Sequence, residues 1–178
     1  TADGQSQVDN INLSFIQSAE IIRGSSSSIY GNASGGVIQL FTEPYPKQRQ
    51  IKSSISIGDF GYRNIQSSIG DGASAQKYML KVSSKSYDGY RDNSEMNSFN
   101  INLKSLFELN QNSTLSIHYN YVDSPLSNDP GSLNKEQAEE NRRSARIQNI
   151  DYQSGEKVLQ HRLGASYKLK ISNRSKLN

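Results

Sequence analysis

Cysteine and tryptophan are absent from the 178 residues, and histidine and methionine occur twice each. Without cysteine there is neither a disulfide framework nor a thiolate metal site. His118 and His161 stand far apart with no HExxH context, so no metal centre is expected. No apolar run approaches the eighteen or so residues of a spanning helix. The first residues do not read as a charged-then-apolar signal peptide. An excess of one charge is also missing: 20 basic and 17 acidic residues leave +3, spread evenly, which gives no footprint for a nucleic acid. No P-loop or GxSxG elbow is present. The sequence GDGASA at residues 70–75 has dinucleotide-fingerprint spacing, but a β-alternating segment follows it where a helix is required, so it reads as a hairpin turn.

Apolar residues are scarce as well, at 33% with a mean hydropathy of −0.73. Typical soluble domains reach about 45–50% with glycine counted. Either the chain is disordered, or its apolar residues alternate with polar ones so that averaging hides them. Alternation is what the sequence holds from Lys47 onward. Ile51, Ser53, Ile55 and Ile57 share one parity, and Ile65, Ser67 and Ile69 continue the pattern in a second strand. Tyr78, Leu80 and Val82 alternate with Met79, Lys81, Ser83 and Lys85 in a third, and Phe99, Ile101, Leu103 and Phe107 with Asn100, Asn102, Lys104 and Glu108 in a fourth. Leu115, Ile117, Tyr119 and Tyr121 make a fifth strand, and Leu163, Ala165, Tyr167 and Leu169 a sixth. The opposite face is too polar for the core of a sandwich.

The connections are short at residues 71–75, 110–112 and 172–176, and long at 88–96 and 123–155; residues 59–62 are a short exception on the long side. Strands of about ten residues with one apolar face, joined by short links at one end and long ones at the other, fit an antiparallel meander crossing an outer membrane. Tyr78, Tyr87 and Tyr121 would suit the aromatic girdles at its interfaces. Six strands do not close a wide barrel, which implies a sheet that continues past residue 178.

Residues 20–43, EIIRGSSSSIYGNASGGVIQLFTE, are unlike anything after them. Two short apolar strands, residues 20–23 and 37–42, flank a serine-rich segment predicted to form one helical turn over residues 25–29, stopped by Gly31 and followed by a Gly35-Gly36 turn. Pro44 and Pro46 end the second strand, because proline donates nothing to a ladder, and place a boundary after residue 45.

The order Glu20, Arg23, Gly24, Ser28, Tyr30, Gly31, Gly35, Gly36, Val37, Ile38, Thr42 resembles the end of the plug domain of TonB-dependent outer-membrane receptors. Ser25 stands where that family usually has proline. The resemblance implies a mainly all-β fragment: residues 1–45 as the C-terminal part of an α+β plug, and 46–178 as the first six antiparallel strands of a transmembrane β-barrel of about 22 strands. It implies a bacterial outer-membrane location, outer-membrane lipid around the strands, and active uptake of a scarce nutrient, which is transport and not catalysis, so no enzyme activity and no cofactor are expected. A ferric siderophore is the expected cargo, and import is energised by the TonB complex through a segment upstream of this one. Within the plug motif, Arg23 is expected to be buried and held by carboxylates.

The long connection at 123–155 would then be an extracellular loop. Asn128-Asp129-Pro130-Gly131 signals a turn, and Asn134 with Gln137 predicts a capped helix over residues 135–143. Arg142, Arg143 and Arg146 would attract an anionic ferric chelate, or else pair with Glu136, Glu139 and Glu140 as an ordinary solvated surface. Tyr87, Tyr90 and Arg91 in the other long connection form an aromatic-plus-arginine set suited to a catecholate-type ligand. Two rival readings fit the same alternation: a passive or adhesive outer-membrane barrel that binds a surface partner, and a secreted β-rich binding domain.

Overall fold

The computed structural model describes residues 13–24, 35–171 and 176–177, and the chain divides into two compact units at Tyr45/Pro46. The predicted helical turn at 25–29, with Ser28, Tyr30 and Gly31 of the motif, lies outside the described residues.

In the first unit a 3-10 turn, Leu13–Phe15, leads into β1 (Ile16–Arg23), which pairs antiparallel with β2 (Gly36–Thr42). β1 begins four residues before the apolar segment at Glu20 that marked it in the sequence. The reason is the partner: β2 offers seven residues to the ladder, and Glu20 to Arg23 supply only four. The register runs from Ile16↔Thr42 to Arg23↔Gly36 with a bulge near Ser18. Gly36 sits at φ +135, and a Cβ there would come 2.6 Å from the Ile22 carbonyl oxygen, so this position requires glycine.

The second unit is one antiparallel sheet in sequence order: β3 (Gln50–Ile57), β4 (Arg63–Asp71), β5 (Gln76–Tyr87), β6 (Met96–Asn110), β7 (Ser113–Asn128) and β8 (Gly155–Lys170), with the two-residue β9 (Lys176–Leu177) on the edge of β8. Because side chains alternate with period two, the register decides whether the six apolar parities fall on one face. They do. A continuous row crosses the sheet as Ile51–Ile69–Leu80–Leu103–Tyr119–Leu163, and the adjacent row on the opposite face is Lys52–Ser68–Lys81–Asn102–Asn120–Arg162.

Accessibility is inverted relative to a sheet packed on a hydrophobic core. On the polar face of the central strands Met79, Ser83, Asn100, Asn102, Val122 and Ser124 are buried, and Lys104 is only 4% exposed. On the apolar face Ile51 is 71% exposed and Leu163 74%, and the central Leu80, Leu103 and Tyr119 are half-buried; Ser105 and Ser113 are its buried positions. Asn120 Nδ2 donates to Asn102 Oδ1 at 2.7 Å across the buried polar face.

Several strands are longer than their sequence alternation marked. β7 continues past Tyr121 to Asn128, so the long connection expected at 123–155 is residues 129–154. Pro125 hides the continuation, because proline cannot serve a regular ladder, but it falls where the β7–β8 register shifts between Ser124 and Ser127. The longer strand moves Tyr121 away from a strand end. Tyr87 shares the parity of Lys81 and Lys85 and so belongs to the polar face, which removes it from an apolar girdle.

Candidate functional site

One end of the sheet carries the connections 58–62, 88–95 and 129–154; the other carries 72–75 and 111–112. The three at the first end are bonded to one another. In the 129–154 connection, α1 (Lys135–Glu140) forms with the predicted capping box: Asn134 Oδ1 accepts from the Gln137 N–H at 2.8 Å, and Gln137 Oε1 accepts from the Asn134 N–H at 3.0 Å. The helix stops at Glu140 instead of reaching residue 143. Asn141 takes an extended conformation, and its Oδ1 accepts from the Arg143 N–H at 3.0 Å, an alternative to helical hydrogen bonding that asparagine side chains provide. Arg142 and Arg143 therefore leave the helix. A second helix that the sequence did not signal, α2 (Ile147–Asp151), follows Arg146, which makes no side-chain cap bond. Long-range contacts hold it, since the Arg146 N–H donates to the Pro130 carbonyl at 2.8 Å and Asn149 Nδ2 to that of Asp129 at 3.1 Å.

Arg91, expected among the ligand-binding residues, clamps the 129–154 connection. Its Nε donates to the Ser144 carbonyl (2.9 Å), Nη1 to that of Gly131 (2.7 Å) and Nη2 to that of Pro130 (3.3 Å). Guanidinium groups satisfy backbone carbonyls that a buried loop would otherwise leave unpaired. Asn93 adds a bond from Nδ2 to the Asp129 carbonyl at 2.8 Å. Tyr87 is also engaged structurally: its hydroxyl accepts from the Tyr90 N–H at 3.2 Å, and its ring meets Tyr62 edge-on.

Tyr90 and Arg143 are brought together. Arg143 Nε donates to the Tyr90 carbonyl at 3.2 Å, and its Cζ lies 5.9 Å from the Tyr90 ring centroid and 6.0 Å from that of Phe60. Phe60 and Tyr90 meet edge-on at 5.1 Å. Phe60 was missed in the sequence because the connection 58–62 reads as a plain turn; its only signal was an aromatic residue beside glycine. Arg146 is exposed and donates from Nε to Gln148 Oε1 at 3.1 Å, and Arg142 is exposed. Among the described residues none of the three loop arginines pairs with Glu136, Glu139 or Glu140; the ion pair on α1 is Lys135–Glu139 at 3.9 Å.

Elsewhere, the two histidines lie on opposite faces of the sheet, His118 with Lys104 on the polar side and His161 with Tyr121 on the apolar side, so they cannot share an ion. No cluster of metal-ligating side chains occurs among the described residues. Of the plug-motif residues, Glu20 and Arg23 lie on β1 and Gly35, Gly36 at the start of β2. Arg23 is exposed within the first unit and makes no ion pair among the described residues. No model of a known protein family matches the chain.

Proposed function

We propose that this chain is the plug-to-barrel junction of a TonB-dependent outer-membrane receptor that imports a scarce nutrient, with a ferric siderophore as the expected cargo. The observation that carries the reading is the inverted sheet of the second unit: six antiparallel strands with a continuous apolar row on the accessible side, and lysine and asparagine on the buried side. In water that arrangement leaves a broad apolar face exposed, which soluble proteins avoid. In a bilayer the same face meets hydrocarbon, strands β4 to β7 satisfy their backbone through neighbours on both sides, and the polar face turns to the lumen. The motif around Arg23, Gly24, Gly35 and Gly36 supports the family, and the bonded loops at one end supply a ligand-facing surface.

The test is growth on a ferric siderophore as sole iron source, with the gene intact, deleted, and intact in a strain lacking TonB. Growth that needs both gene and TonB supports the receptor. Growth independent of TonB favours a passive barrel, and growth unaffected by the deletion overturns the uptake role.

A further inference from the structure

Arg143 is fixed at three points and free at its tip. Its N–H donates to Asn141 Oδ1, its carbonyl accepts from the Asp92 N–H at 2.7 Å, and its Nε is held by the Tyr90 carbonyl. The two Nη atoms make no hydrogen bond among the described residues. They stand beside two accessible rings, Phe60 at 42% exposure and Tyr90 at 39%, which meet at an interplanar angle of 82°. Phe60 has φ +57, a left-handed conformation that a bulky side chain rarely adopts. It is held there by its carbonyl, which accepts from the N–H groups of Asp88 (3.0 Å) and Gly89 (3.3 Å). Backbone strain of this kind clusters at ligand-binding positions.

A guanidinium fork matches a carboxylate through two parallel hydrogen bonds, and orienting it in advance reduces the entropy lost on binding. The ring pair offers an apolar wall for a flat body. A cationic ligand is repelled by the fork, and a bare phosphate has nothing for the rings to cover. We propose that Arg143, Phe60 and Tyr90 together recognise an aromatic carboxylate, with the fork on the carboxylate and the rings against the aromatic body. The biological role of this subsite rests on the receptor reading above; the binding itself does not.

The test is calorimetric titration of the full receptor in detergent micelles with benzoate, using benzamide, inorganic phosphate and cyclohexanecarboxylate as comparisons. Benzoate is expected to bind at least about tenfold more tightly than benzamide or phosphate, since a pair of charge-assisted hydrogen bonds is worth that much. Arg143→Gln should weaken benzoate at least about tenfold, and Arg143→Lys, which keeps the charge but loses the fork, should weaken it similarly. Phe60→Leu should erase the preference for benzoate over cyclohexanecarboxylate. Thermal unfolding of each variant in the same micelles identifies any that fails to fold; for such a variant, the other Arg143 substitution decides. Benzoate affinity unchanged in a folded Arg143 variant, or equal affinities for benzoate and phosphate, would overturn the proposal. Benzoate binding that depends on Arg143 in a protein without TonB-dependent uptake would sink the receptor reading and leave this one standing, and the reverse pair of results would do the opposite.

Discussion

Arg91 Nη1 donates to the carbonyl of Gly131 at 2.7 Å, joining two connections whose residues stand 40 positions apart in the chain. Two more bonds from the same guanidinium reach Ser144 and Pro130, so one side chain ties the start of the 129–154 connection to its middle. Arg91→Ala should leave these carbonyls unpaired and cost roughly 1–3 kcal/mol. Hydrogen exchange and protease cleavage should rise across residues 129–154 and stay unchanged in β5 and β6. Arg91→Lys should recover little, because one ammonium cannot span three carbonyls. Unchanged protection in Arg91→Ala would show that the loops do not depend on the clamp.

Gly61 is the second structural fixed point. It has φ +70, and a Cβ there would overlap the Asp88 carboxylate. Gly61→Ala should destabilise the protein by about 1–2 kcal/mol through the backbone conformation alone. The displaced carboxylate adds to that cost. In an Asp88→Ala background the overlap disappears while the conformational cost remains, so the same substitution should cost less but still be unfavourable. Equal costs in both backgrounds, measured by denaturant unfolding, would rule out the overlap.

The sheet was legible in the sequence because its signal is local: each of the six alternating segments carries its own parity, and the register places those parities in shared rows such as Leu80–Leu103–Tyr119. The capping box at Asn134 and Gln137 was legible for the same reason. What was not legible depends on distant partners. Pro125 reads as a strand end until the bulge in β7 is known, and α2 carries no cap of its own. Arg91 and Arg143 are equivalent as letters; only their partners distinguish a clamp from a free fork. Phe60 is unremarked in a short turn until folding sets it beside Tyr90.

The two faces of the sheet should respond differently to charge. Leu103→Arg places a guanidinium in the apolar row, and in a bilayer it should cost about 2–4 kcal/mol near mid-membrane. Asn102→Arg, one residue away on the polar face, should cost clearly less. Folding into lipid vesicles across a denaturant series measures both. Equal costs would contradict the assignment of the faces.

The most direct test of the membrane reading uses the absence of cysteine from this stretch. Leu103→Cys and Asn102→Cys are made singly in the full-length protein, which is folded into lipid vesicles and treated with a water-soluble maleimide. The account predicts that the cysteine at 103 resists labelling and that a fluorophore attached there before folding is quenched by brominated lipid, while the one at 102 shows no lipid quenching. Rapid aqueous labelling at 103 in the folded protein, with no lipid quenching at either position, would contradict it.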